Sequence, residues 1–212
     1  MENTYTKIHT MGTETALKVT PGHFATNHSH TNYYVDMTTL KARTSEAQGI
    51  ARALSGLYLY DTVIDTIICL EGTEVIGAFL AEELARNGFL SMNRHKTIYV
   101  VSPEYNSNSQ IIFRDNLVPM IRDKHVIVLT ASVTTGLAVN KALESIQYYG
   151  GIMQGVSAVF SAVDAVNGMK IQAVFGKKDL PDYEFYDYRD CPLCKRGEKL
   201  RALVNAFGYS KL

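Results

Sequence analysis

Residue types and spacing that could do chemistry concentrate in Val126-Ile127-Val128-Leu129-Thr130-Ala131-Ser132-Val133-Thr134-Thr135-Gly136-Leu137-Ala138. A β-branched apolar run, a turn of small hydroxylic residues and a helix start follow one another there, which makes an anion cradle. The first amides of a helix have no partner within it, and the helix dipole adds positive potential at that end. Hydroxyls on Ser132, Thr134 and Thr135 can donate to phosphate oxygens, the Val133 amide lies in the same turn, and Gly136 lets the backbone approach closely. An ordinary capped helix after a strand has the same composition, because Ser and Thr are common cap residues.

A second constellation is Cys191-Pro192-Leu193-Cys194. The C-x₂-C spacing puts two thiolates on one Zn²⁺ ion, which is half of the four-ligand set of structural zinc. His23, His28 and His30 complete such a site if the amino-terminal region folds against the tail; two subunits pooling four thiolates would also complete it. Free thiols around Pro192 or a redox pair are the metal-free readings. Glu71-Gly72-Thr73-Glu74 is a tight acidic turn with no cation beside it in sequence.

The elements that must position these groups alternate. Apolar residues at helical spacing from Glu46 to Tyr60 predict a helix, Ile67–Leu70 a buried strand, and Val75 to Leu84 a second helix stopped by Asn87-Gly88. Thr97–Val101 predicts another strand, and Ser102–Gln110 a long loop. His125–Leu129 predicts a strand, Ala138–Tyr149 a helix, and Val156–Val163 and Ile171–Phe175 two strands joined by a hairpin-type turn at Asn167-Gly168. This order implies an α/β fold, a mostly parallel sheet flanked by helices, with ligands at the carboxyl ends of its strands. Beyond Lys177 the chain turns tyrosine-rich and acidic, then basic and weakly helical from Lys195 to Leu212.

Composition narrows the function classes. The 212 residues carry 21 basic and 21 acidic side chains, so bulk electrostatics toward nucleic acid or an anionic membrane are excluded. No apolar run approaches the roughly 20 residues of a membrane span. A polar start without a secretory signal and only 3 cysteines lead us to expect a reducing, cytoplasmic setting.

The segment ending in Thr134-Thr135-Gly136 resembles the phosphoribosyl-pyrophosphate (PRPP) signature of type I phosphoribosyltransferases: apolar strand, two acids, small-residue loop, Thr-Thr-Gly, helix. Phe24 to Met37 is similar to the amino-terminal stretch of orotate phosphoribosyltransferases, Ile67 to Ala85 to their strand, pyrophosphate loop and helix, and Ser102 to Leu117 to their mobile loop. The resemblance spans residues 16–176 in element order. It implies an amino-terminal hood at 1–43, the α/β core at 44–178 and a carboxy-terminal extension at 179–212. It also implies a homodimer, and transfer of phosphoribosyl from PRPP with Mg²⁺ to a nitrogenous base such as orotate. In that frame Ser132–Gly136 hold the 5′-phosphate, Thr130 and Ala131 face the ribose, Glu71, Gly72 and Thr73 lie by the pyrophosphate, and Phe24, Asn27 and His28 by the base.

The chain departs from the pattern where charge matters. Thr130 and Ala131 replace the two acids that hold the ribose hydroxyls and stabilise the developing cation. Losing one such stabiliser typically costs about 10²–10³ in rate. The loop Ser102–Gln110 has Glu104 as its one charged residue. Glu71 and Glu74 would repel a diphosphate by about 4 kcal/mol per charge pair at 4 Å and an effective dielectric of 20. Two expectations follow: a phosphoribosyltransferase with weakened or lost turnover, or a catalytically silent protein that binds nucleoside monophosphates.

Overall fold

The computed structural model describes residues 5–58, 61–86, 91–94, 97–108 and 110–212. The expected stop at Asn87-Gly88, the end of the first helix at Tyr60, and Ser109 lie outside them.

The elements run β1 (Thr6–Ile8), β2 (Leu17–Ala25), β3 (His30–Asp36), α1 (Thr38–Ala42), α2 (Thr44–Ser55), β4 (Thr66–Cys69), α3 (Glu74–Arg86), β5 (Tyr99–Val101), β6 (Glu104–Tyr105) and β7 (Ile111–Ile112). They continue with β8 (His125–Val133), α4 (Leu137–Tyr148), β9 (Ile152–Ser161), β10 (Ala165–Val166), β11 (Met169–Gly176), β12 (Phe185–Tyr186), α5 (Pro192–Lys195), β13 (Ala202–Asn205) and β14 (Gly208–Lys211).

The central sheet has the order β10-β11-β9-β8-β4-β5, parallel throughout except for the edge strand β10. Both faces are covered, which is why its strands read as continuous apolar runs rather than alternating ones. Ile67 and Leu129 face the side of α2 and α3, packing with Ile50, Leu54 and Leu80; Ile68 and Val128 face the side of α4, packing with Val139 and Ile146. Each such side chain, fully buried, contributes about 1.5–3 kcal/mol. The Tyr58 hydroxyl is also buried there and shares a 2.6 Å hydrogen bond with Ser157 Oγ.

Three expectations are corrected. Asn167-Gly168 does make a hairpin turn, but it joins β10 to β11, and β9 lies parallel to β11. The stretch Ser102–Gln110 is not one open loop: β6 and β7 pair as an antiparallel hairpin, clasped by Arg114 on Glu104 at 2.6 Å. The tail is stranded rather than helical from 202 onward, because β13 finds a partner in β2 (Ala202 opposite Phe24) that no local pattern announces. The two ends of the chain therefore build one second sheet, β12-β3-β2-β13-β14, with β1 on β2. No helix among the described residues is long and apolar enough to cross a membrane.

Candidate functional site

The carboxyl ends of β4 and β8 open into a cleft of about 800 Å³. The second sheet roofs it: Asn27 and His28 from the β2–β3 turn and Asn205 and Phe207 from the β13–β14 turn line it opposite Ser132–Gly136. The β6–β7 hairpin adds Tyr105 at a third side.

The cradle is built as the residue types require. After β8 the chain bends through Thr134 and Thr135 to Gly136, whose φ of +78° is left-handed. A Cβ at Gly136 would lie 2.5 Å from Val166 Cγ2, so both conformation and space demand glycine. Gly136 is also the N-cap of α4. No side chain caps that end and no acid occupies its first turn, so the positive end of the helix faces the cleft unneutralised. The Leu137 amide reaches Thr135 Oγ1 only at 3.5 Å.

The turn after β4 holds a strained residue. Glu71 has a φ of +58°, a region that costs a non-glycine residue on the order of 1–3 kcal/mol, and Gly72 follows at +76°. Three contacts fix Glu71. Its carboxylate accepts from the Thr130 hydroxyl at 2.9 Å and from the Ser132 amide at 3.3 Å, and its carbonyl accepts from Lys41 Nζ at 2.6 Å. A carboxylate thus stands at the end of β8 although the strand itself carries none. Glu74 instead accepts from Ser102 Oγ at 2.7 Å.

Sequence reasoning missed Lys41. Its ammonium group binds the Ala206 carbonyl as well as that of Glu71, and lies 3.5 Å from where a Gly72 Cβ would be. Burial lowers its pKa, against the raising effect of Glu71 and Glu74. Lys141 of α4 lines the cleft too. Neither position carries a local signal, since both read as the polar face of a helix. Arg114, just after the β6–β7 hairpin, is held by Glu104.

Several expected site residues lie elsewhere. Ser132–Gly136, Glu71, Gly72, Asn27 and His28 line the cleft. Thr73 is fully buried, its hydroxyl donating to the Leu70 and Leu129 carbonyls, so its side chain ties β4 to β8 rather than facing a ligand. Phe24 is buried against Tyr34, with ring centroids 5.9 Å apart, and does not line the cleft. Ala131 packs in the core and Thr130 is buried, reaching the site through Glu71. Cys191 and Cys194 converge with His23 and His30 away from the cradle, while His28 stays at the roof.

No family model matches the sequence, and no curated protein matches it significantly. Solved structures do. The chain is similar to the orotate phosphoribosyltransferase of Mycobacterium tuberculosis in complex with Fe(III) dicitrate, with a TM-score of 0.53 and 19% identity over 77% of this chain and 92% of that one. It is similar to Leishmania donovani UMP synthase, with a TM-score of 0.55 and 17% identity over 77% of this chain and 34% of that one. The adenine phosphoribosyltransferase of Thermoanaerobacter pseudethanolicus follows, at 0.51 and 14% over 68% and 88%. With a parallel sheet, a roof over its carboxyl edge and a glycine-ended cradle between, the chain has the fold of the type I phosphoribosyltransferases.

Proposed function

We propose that the cleft binds the 5-phosphoribosyl group of PRPP or of a nucleoside monophosphate and transfers it to a nitrogenous base such as orotate, with Glu71 replacing the acids missing at Thr130 and Ala131. The observation that carries this reading is the uncapped start of α4 behind Ser132–Gly136, with a carboxylate fixed beside it. A likeness to the M. tuberculosis orotate phosphoribosyltransferase solved with PRPP, at a TM-score of 0.51 and 18% identity, supports the ligand class.

In this transfer a base nitrogen forms the new bond to the anomeric carbon while the bond to pyrophosphate oxygen breaks, and pyrophosphate leaves with the electron pair. The cradle holds the phosphate, Glu71 stabilises positive charge growing on the ribose, and Lys41 and Lys141 offset charge on the pyrophosphate. Asn27 and His28 stand by the base. Mg²⁺ prefers oxygen ligands and keeps several waters. Glu71 and Glu74 fit it as carboxylates lining the cleft; when bound it would neutralise the diphosphate. A homodimer in a reducing cytoplasm is part of the reading, and light scattering tests the dimer.

Calorimetry with ribose 5-phosphate and with PRPP plus Mg²⁺ tests the binding, and release of pyrophosphate in the presence of orotate tests the transfer. Binding of neither phosphate compound overturns the proposal. The second reading, a silent nucleotide-binding regulator, is favoured by one observation: the acids of the signature are Thr130 and Ala131, both buried. Monophosphate binding without turnover of any base would select it.

A further inference from the structure

We propose that His23, His30, Cys191 and Cys194 form a tetrahedral structural zinc site that locks the carboxy-terminal segment onto the amino-terminal hairpin. The four ligand atoms all lie within 4.8 Å of one another. His23 Nε2 is 3.1 Å from His30 Nδ1, 3.6 Å from Cys191 Sγ and 3.7 Å from Cys194 Sγ, and Cys194 Sγ is 3.3 Å from His30 Nδ1. An ion bonded at about 2.0–2.1 Å to nitrogen and 2.3 Å to sulfur sets tetrahedral edges of about 3.3–3.8 Å. The four separations given above, 3.1–3.7 Å, lie close to those edges.

The chain prepares each ligand. In the β2–β3 hairpin Ala25 pairs with His30, and a bulge between Pro21 and Phe24 breaks the register at His23, whose ring meets that of His30 edge-on with centroids 5.0 Å apart. His23 Nδ1–H donates to the Glu198 carbonyl at 2.8 Å, which leaves Nε2 with a lone pair aimed at the cluster. A backbone acceptor on the far nitrogen is the usual support of a metal-bound histidine. On the other side Pro192 opens the short turn α5, the Lys195 amide closes back on the Cys191 carbonyl at 3.1 Å, and Gly197, with a φ of +75°, accepts the reversal after Cys194. That wrap turns both thiols inward. His23 and Cys191 are each almost fully buried, His30 is half-buried and Cys194 is exposed, so the cluster is closed on its inner side and reaches the surface at Cys194. Two imidazole nitrogens and two sulfurs this close need either protons between them, as S–H···N and N–H···N hydrogen bonds, or one cation shared by all four.

The site joins segments that the hydrogen bonds alone hold thinly. Its ligands come from β2, the start of β3 and the turn at α5, and the Arg201 amide donates to the His23 carbonyl at 2.8 Å just before β13 pairs with β2. Both turns that roof the cleft extend from these strands. The site is independent of what the cleft binds.

The test uses the full chain purified with its thiols reduced, read by elemental analysis and by replacement of the native ion with Co²⁺. We expect about one zinc per chain, and a tetrahedral Co²⁺ spectrum with sulfur-to-metal charge transfer of two thiolates. Cys194→Ser and His30→Ala should each lower zinc occupancy at least about tenfold. Should either variant fail to fold, the Co²⁺ spectrum of the unmutated chain still decides. Metal-free protein after growth in zinc, a Cys191–Cys194 disulfide in protein purified without reductant, or a four-thiolate spectrum from paired chains would each overturn the proposal.

Discussion

The Thr130 hydroxyl donates to the Glu71 carboxylate at 2.9 Å, so a side chain from the turn after β4 supplies negative charge at the end of β8. Glu71→Gln keeps the acceptor and removes the charge. Orotate turnover with PRPP should fall by about 10²–10³ while ribose 5-phosphate affinity holds, and steady-state kinetics beside calorimetry separates the two.

Restoring an acid on β8 should not help unless Glu71 is changed with it. Thr130→Asp places a second carboxylate against Glu71 in a buried position, at a cost of up to about 4 kcal/mol, and should lower the melting temperature. Thr130→Asp combined with Glu71→Ser should recover most of that loss. Equal melting temperatures for the single and double variants would count against a charge conflict.

Gly136→Ala meets two obstacles, a left-handed φ and the 2.5 Å approach of Val166. We expect about 1–3 kcal/mol of destabilisation and loss of monophosphate binding. Denaturant melts report the first and calorimetry the second.

Lys41→Met removes the ammonium beside Gly72. Affinity for PRPP should drop by about tenfold, equivalent to about 1.4 kcal/mol, with ribose 5-phosphate unaffected. A parallel loss for both ligands would assign Lys41 to holding the roof through Ala206 instead.

Tyr58→Phe leaves the buried Ser157 hydroxyl without its 2.6 Å partner. The expected loss is about 1–3 kcal/mol by urea unfolding, with no change at the cleft.

The core was readable because its signals are local. Val126–Leu129 and Ile67–Leu70 are apolar runs that only a strand buried on both faces explains, and Leu54 or Ile146 repeat at helical spacing beside them. Gly136 announced the cradle for the same reason: one residue sets one conformation. What was hidden depends on distant partners. The strand at Ala202–Asn205 exists because β2 offers an edge, and nothing between Lys195 and Leu212 says so. Glu71 looked repulsive in isolation, since its acceptor role needs Thr130 and Ser132 from another strand. The histidine partners of Cys191 and Cys194 were legible only as a condition, that the amino-terminal region meet the tail; His23 and His30 meet it, and His28 does not.

A roof woven from strands that precede and follow the central sheet also orders events at the ribosome. The central sheet is translated after β2 and β3 but before β13 and β14, so a nascent polypeptide can assemble the floor of the cleft while the second half of its cover is still inside the exit tunnel. Removing β13 and β14 would take Asn205 and Phe207 from the cleft and leave Asn27 and His28 to cover it from the β2–β3 turn alone.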